Sequence, residues 1–184
     1  MSFLALLGLT PLLLIVWIAV RVTSSGPGLF WSNRIGRNGK VFRMPKFRTM
    51  TTCSKVISRE NATSEDIKFT PIGLFLRKSS IDELPQLLNV IKGDMSIVGN
   101  RPLPVYEAEL LTEDMMSKRF LAPAGITGLW QVELRGRGGV MSEEDRIALD
   151  NSYADKFIQH NYTLWYDIKL ILRTIPALLQ RDTV

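Results

Sequence analysis

The sequence predicts an α+β fold that is mostly helical, with an N-terminal membrane helix, a small β-hairpin and further amphipathic helices. Three observations predict it. The chain opens on eighteen uncharged residues, "FLALLGLTPLLLIVWIAV", from Phe3 to Val20. A basic segment then turns on Asn38-Gly39 between two β-prone stretches. Beyond it, apolar residues recur at helical spacing in "IDELPQLLNVIK". At 184 residues the chain suits one domain with a sizeable core.

Charge divides the chain unevenly beneath a formal net charge of +5. Met1 to Arg59 carry nine Lys/Arg and no Asp or Glu, whereas the remainder carries fourteen basic and eighteen acidic residues. Such a basic block suits an anionic partner: lipid headgroups, nucleic acid or a phosphorylated substrate. Cys53 is the only cysteine, which excludes an intrachain disulfide and points to a reducing compartment.

As a straight helix the apolar run reaches roughly 27 Å at about 1.5 Å per residue, near the thickness of a bilayer core. No basic residue precedes it and "AVRVTSS" is a poor cleavage site, so a signal peptide fits badly. Pro11 lies inside the run and removes one helix hydrogen bond, which calls for a kink or a break. Thr10 can give its hydroxyl to a freed carbonyl. A kinked single span and a re-entrant hairpin returning to the same face both fit, and the segment by itself favours the span. In either case Arg21 and the basic stretch behind it belong on the cytoplasmic side.

The hairpin segment, Gly28 to Met50, spreads Arg34, Arg37, Lys40, Arg43, Lys46 and Arg48 among Trp31, Phe42 and Phe47. Asn38-Gly39 supplies the positive φ angles of a tight turn, and Pro45 makes the second strand an edge or a bulge. Most of these cations are expected to be solvated against headgroups. No recognised nucleic-acid motif frames the patch. The following "TTCSKVISRENATSEDIKFT" is polar and aperiodic, as a lid or substrate-contacting loop would be.

In "KSSIDELPQLLNVIKGDMSIVGNRP", Lys78 to Pro102, Ile81, Leu84, Leu88 and Ile91 follow helical spacing. Ser80 and Glu83 make a capping box and Gly93 is a good C-terminal stop. Pro85 is tolerated only near a helix start. Asp82 is thereby expected in the first turn, ionised beside the positive end of the dipole. Adjacent helical residues point about 100° apart, so Asp82 and Glu83 cannot do one job on one atom. Capping alone explains both carboxylates in an ordinary protein. Arg77 and Lys78 upstream and Arg101 downstream add cations suited to phosphate, the layout for attack on phosphorus by a carboxylate. There is no G-x-x-x-x-G-K-[ST] loop, no G-x-G-x-x-G after a strand and no D-x-D pair. The single His160 lies in a polar connector, which argues against zinc and Ser-His-Asp chemistry.

Four blocks, "SSGPGLFWSNRIGRNGKVFRMPKFRTM", "LRKSSIDELPQLLNVIKGDMSIVGNRP", "PAGITGLWQV" and "LDNSYADKF...YTLWYDIKLILRTIPALL", run in order over nearly the whole chain. In them the chain resembles the monotopic phosphoglycosyl transferases, small bacterial sugar transferases that start glycan assembly on polyprenyl phosphate. The resemblance implies that Asp82 is the nucleophile toward the β-phosphate of a UDP-sugar, releasing UMP, and that polyprenyl (undecaprenyl) phosphate then takes the phosphosugar. It implies that Glu83 assists as base or orienter, and that Mg²⁺ binds at Asp82 and the diphosphate. Lys46 and Asp150 match positions that line the family's site. Arg77 and Arg101 match phosphate-contacting positions, and Arg137 in "RGRGG" an arginine of the nucleotide pocket.

The resemblance also turns the choice at Thr10-Pro11 toward a re-entrant helix. Residues 1–22 would enter and leave on the cytoplasmic face of the bacterial inner membrane, and residues 23–184 would form a catalytic domain on its surface. The C-terminal "LWYDIKLILRTIPALLQ" would be an amphipathic interfacial helix, with a soluble core helix as the alternative. Membrane lipids are the implied partners besides the two substrates, nucleic acid is not one, and a homodimer is left open. The chain departs from the family in starting almost inside the apolar run, in Asn100 where G-P-R-P has proline, and in "QVELRGRGG". A membrane-surface protein that binds anionic lipid without catalysis is the reading of a different class.

Overall fold

The apolar run folds as helix α1, Ser2–Thr23, with Pro11 inside it. The helix continues through Pro11 rather than breaking there. The Thr10 hydroxyl donates to the Leu6 carbonyl one turn back at 2.8 Å, as the need to satisfy backbone groups in an apolar medium requires. The computed structural model describes residues 2–51, 68–110, 118–136, 141–159 and 164–179. The chain falls into two compact units, Met1–Trp31 with Pro45–Gln86, and Ser32–Met44 with Leu87–Val184.

In the first unit one stripe of α1, Leu13, Val16 and Val20, packs with Leu29, Phe47, Ile72, Leu76 and Ile81. The spacing of three and four residues is what a helix needs to present a single apolar seam. The other side stays uncovered: Phe3, Leu4, Leu7, Leu14, Ile15, Trp17, Ile18 and Val22 are all exposed. By length and composition α1 can cross a membrane. Its C-terminal end is held by Arg48, buried in strand-end position. One Arg48 nitrogen donates to the Ser24 carbonyl at 2.7 Å and to the Ser24 hydroxyl at 2.6 Å, and another donates to the Ser25 carbonyl. A guanidinium there satisfies carbonyls the helix cannot, at the negative end of its dipole. Helix α2, Gly73–Lys78, buries Leu76 and ends at the 3₁₀ segment Ile81–Gln86.

The expected hairpin is present as β1, Leu29–Ile35, and β2, Val41–Phe47. Its turn is a 3₁₀ segment, Arg37–Gly39, with Asn38 at φ 56° and Gly39 at φ 72°, the positive angles that select Asn-Gly. Pro45 sits in β2, an edge strand of the sheet in which β2, β1 and the short β4, Leu103–Pro104, follow in that order, the place where a strand tolerates proline. The cations Arg37, Lys40 and Arg43 are exposed, as expected of most of this set, whereas Arg48 is buried. Arg37 donates to the Leu121 carbonyl at 3.2 Å and stacks over Phe157, and Lys40 faces Asp94 at 3.5 Å.

Helix α3, Leu87–Lys92, stops as expected at Gly93, φ 80°. The Gly93 N–H returns to the Val90 carbonyl and the Asp94 N–H to the Asn89 carbonyl, the paired closure of a Schellman turn. Three short strands were not anticipated. β3, Ser96–Val98, pairs in parallel with β5, Gly125–Thr127, and β4, Leu103–Pro104, joins β1 antiparallel. Strands of two or three residues are too short to show alternation in a sequence. The backbones meet closely: a Cβ at Gly125 would strike the nitrogen and Cα of Gly99, and one at Gly99 the Pro123 carbonyl. Glycine is required at both.

Helices α4, Val105–Leu110, α5, Leu129–Gly136, α6, Glu143–Ile158, and α7, Leu164–Leu179, complete the second unit with the 3₁₀ turn Arg119–Leu121. Ser142 caps α6 by accepting the Asp145 N–H at 3.1 Å. Val98, Ala122, Leu129, Tyr153, Ala154 and Leu170 form the core. On α7, Asp167 and Leu170 face inward while Leu164, Trp165, Leu172 and Ile175 are exposed. The helix is therefore apolar on both its packed and its outer side, as an interfacial helix fastened to a core would be.

Gly125→Ala is expected to lower the stability of the second unit by about 1–3 kcal/mol through overpacking. Gly8→Ala, whose Cβ meets nothing within 4 Å, is expected to leave it unchanged. Thermal unfolding followed by circular dichroism checks both.

Candidate functional site

The carboxylate segment does not form the single capped α-helix that the spacing suggested. Ile81–Gln86 is 3₁₀, and α-helix begins only at Leu87. Ser80 has φ 55°, the left-handed region, where a capping serine is normally extended. The Ser80 carbonyl accepts the Glu83 N–H at 3.2 Å. Proline explains the change: Pro85 has no N–H for an i−4 bond and its ring opposes an α-turn at that point. The tighter 3₁₀ winding places Asp82 inward and buried, 6% exposed.

Glu83 has a partner that spacing could not supply. Its Oε1 lies 2.6 Å from the Lys46 Nζ, and both side chains are 16% exposed. Lys46 comes from β2, thirty-seven residues away. A contact this short between a half-buried ammonium and a carboxylate fixes the rotamers of both. The two neighbouring carboxylates are thereby given different surroundings: Glu83 is committed to a lysine, and Asp82 is packed into the unit. Arg77 is in the same unit, at the end of α2. Its Nε donates to the Thr49 hydroxyl at 3.1 Å, and its guanidinium lies over the Phe69 ring at 5.3 Å. Stacking on an aromatic face leaves a guanidinium's edge for anions.

Among the described residues no three of His, Cys, Asp or Glu gather as a metal cage. What the segment offers a hard cation is its two carboxylates, Asp82 and Glu83, the second of which also contacts Lys46. Magnesium takes one or two carboxylates and completes its shell with water and substrate phosphate, so the donor set fits it.

Asp150 and Arg101 belong to the second unit. Asp150, on α6, is 1% exposed, and Arg101 follows β3. Their meeting point is a residue that sequence reasoning missed, Arg119. Its Nη2 lies 2.7 Å from Asp150 Oδ2 and donates to the Arg101 carbonyl at 3.1 Å. Two effects oppose each other at Asp150. Burial raises its pKa, the Arg119 and Arg101 charges lower it, and burial wins, pushing it up to about 7. The short distance to Arg119 does not contradict this. Neither carboxylate oxygen accepts a directed hydrogen bond, so the contact is one of charge and compensates desolvation only in part. Asn100 closes the group: its amide donates to the Arg119 carbonyl at 2.9 Å and to the Asp150 carbonyl at 3.0 Å. Its N–H also reaches the Pro123 carbonyl, a bond that proline would lack. The one signal for Arg119 in the sequence was a charge beside the apolar "FLAPAGITG", which is weak. Arg137, His160, Cys53 and the polar loop over residues 52–67 lie outside the described residues.

Comparison with known proteins agrees with this arrangement of motifs. The chain matches the family described as Bacterial sugar transferase over residues 1–181. It is 41% identical to the UDP-glucose:undecaprenyl-phosphate glucose-1-phosphate transferase of Caulobacter vibrioides, over 94% of this chain and 64% of that protein. It is 36% identical to the undecaprenyl-phosphate galactose phosphotransferase of Salmonella typhimurium, over 98% of this chain and 39% of that protein. The exopolysaccharide production protein ExoY of Sinorhizobium fredii is 38% identical, over 96% of this chain and 80% of its own length. The chain spans about a third to two thirds of the length of several of these relatives. With its motifs in order and the match running almost end to end, the chain belongs to the bacterial sugar transferase family.

Proposed function

We propose that the chain is a phosphoglycosyl transferase that moves a sugar-1-phosphate from a UDP-sugar to polyprenyl phosphate through a covalent aspartyl intermediate. The observation that carries it is the 2.6 Å contact of Lys46 with Glu83 beside the buried Asp82. The family and the names of its relatives support the substrate class.

In the first step an Asp82 carboxylate oxygen attacks the β-phosphorus. The bond from that phosphorus to the bridging oxygen breaks, and UMP leaves with the electron pair. In the second step a phosphate oxygen of the polyprenyl carrier attacks the same phosphorus and returns the carboxylate. Splitting one transfer into two displacements is what an activated carboxylate nucleophile provides. Glu83, held by Lys46, orients the acceptor or takes its proton. Arg77 in the first unit and Arg101 in the second are the guanidinium groups that the resemblance assigns to phosphate oxygens, with Arg137 and Asp150 as further site residues. Magnesium at Asp82, when bound, neutralises charge on the diphosphate oxygens.

The uncovered apolar sides of α1 and α7 support work at a bilayer surface, where the carrier phosphate lies. We propose the re-entrant course for α1, with both ends on the cytoplasmic face of the inner membrane.

Asp82→Asn is expected to lower UMP release from UDP-glucose or UDP-galactose, with magnesium and undecaprenyl phosphate present, by about three orders of magnitude or more. Unchanged turnover would remove Asp82 from the nucleophile's role. A phosphosugar mass increment on the peptide containing Asp82 is the direct check on the intermediate. Salt-sensitive liposome binding with no turnover of any nucleotide sugar would favour a non-catalytic lipid-binding protein. Lys46→Met is expected to lower the second step by about 100-fold while sparing the first, seen as a retained burst of UMP in single-turnover assays. For topology, Phe3→Cys and Val22→Cys, each in a Cys53→Ser background, should label from the same side of sealed vesicles. Labelling from opposite sides returns α1 to a single span.

A further inference from the structure

The second unit contains a buried cation that neither the reaction scheme nor the motif reading uses. Arg119 is 5% exposed and sits in a 3₁₀ turn of three residues. Its guanidinium makes two contacts of different kinds: a charge contact with Asp150 at 2.7 Å and a donated hydrogen bond to the Arg101 carbonyl at 3.1 Å. Its own carbonyl is tied through the Asn100 amide to the Asp150 backbone. Asn100, Arg101, Pro102, Arg119 and Ala122 help line a pocket of about 10 Å³, room for about one water. A pocket of that size is support behind a site and not a ligand site in itself.

Burying an arginine and an aspartate together costs desolvation that their attraction repays only with good geometry. Here Asp150 Oδ1 has no hydrogen-bond partner, so the geometry is not that of a purely structural pair. The other charged groups on the elements around Asp150 are occupied elsewhere. Lys118 faces Asp155 at 3.4 Å, Glu133 of α5 faces Arg173 at 2.8 Å, and Asp167 of α7 accepts the Tyr153 hydroxyl at 3.3 Å. Arg146, one turn back on α6, lies over the Trp130 ring at 5.5 Å. The cations that act on Asp150 are Arg119 and Arg101.

We propose that Arg119 is a positioning residue: through one guanidinium it anchors the loop that carries Arg101 and keeps the Asp150 carboxylate in its charged form. Arg101 then offers its own guanidinium to a phosphate group from a fixed backbone. The link makes anion binding by Arg101 sensitive to protonation near neutral pH. When Asp150 takes a proton, Arg119 loses its counter-charge and the anchor of the loop loosens. This inference rests on the phosphoglycosyl-transfer reading and adds to it a residue and a pH response.

The test compares the parent chain with Arg119→Met and Arg119→Lys in UMP release from a UDP-sugar across pH. Loss of a nearby opposite charge raises a carboxyl's pKa by about one to three units, so Arg119→Met should move the acidic limb of kcat/KM upward by that amount. Arg119→Lys retains the charge but not the two-pronged reach. Its limb should stay with the parent's, while KM for the UDP-sugar rises several-fold and kcat changes little. A folded Arg119→Met with the parent's acidic limb overturns the proposal. If Arg119→Met does not fold, an Arg119→Lys chain with the parent's KM overturns it equally. A parent chain that releases no UMP would sink the proposed reaction instead. In that event the Asp150 titration, followed by its ¹³C carboxyl shift in parent and Arg119→Met, still decides the matter. An unmoved midpoint is the negative result.

Discussion

The Lys46–Glu83 ion pair ties the carboxylate turn of the first unit to the end of β2, and the proposed chemistry depends on it. Two adjacent carboxylates on one short turn would otherwise be equivalent acids repelling each other. A lysine brought from a distant strand removes that equivalence by binding one of them at 2.6 Å. Ion pairs of this burial add little net stability, because desolvation offsets attraction, but they fix which rotamers and which partners occur. Lys46 is also one of three consecutive residues with three different attachments. Lys46 holds Glu83, Phe47 enters the core with Val20 and Leu76, and Arg48 closes the C-terminal end of α1. The end of β2 thus joins the membrane-type helix and the carboxylate turn into one unit. A shift of the strand by one residue would exchange all three.

The second unit relies on a different constraint, the close passage of backbones at Gly99 and Gly125. With no Cβ at either position, β3 and β5 pair and the chain leaves β3 toward Asn100 and Arg101 along a fixed path. The Asn100 side chain then bonds two carbonyls from separate elements, and Arg119 closes the same group with a charge. A residue that departs from the family's usual proline is used here as a backbone bridge. The cost is a buried carboxylate, Asp150, whose pKa is raised to about 7 and whose ionisation depends on its neighbours.

Among the described residues, α1 and α7 carry apolar side chains that the protein leaves uncovered, the surfaces that the proposed membrane attachment would use. On α1 only the Leu13–Val16–Val20 seam is packed. On α7 the inward side is filled by Leu170 and by Asp167 bonded to Tyr153, leaving Trp165, Leu172 and Ile175 outside. Such surfaces are stable in water only with an apolar partner.

The sequence by itself determined the elements whose signal is local. Eighteen apolar residues require a helix, Asn38-Gly39 a tight turn, Pro45 an edge strand, and Gly93 a helix stop; each follows from backbone sterics or from burial of one segment. It also located the carboxylates, because Asp82 and Glu83 stand out by type and by the cations near them. Only the tertiary structure decided what each carboxylate touches. Pro85 forced 3₁₀ winding where spacing suggested an α-helix, and Glu83 met Lys46 from a distant strand. Arg119 stayed hidden for the same reason: its meaning lies in Asp150 and Arg101, thirty-one and eighteen residues away. Contacts across such separations are fixed by packing, which no local pattern of residues records.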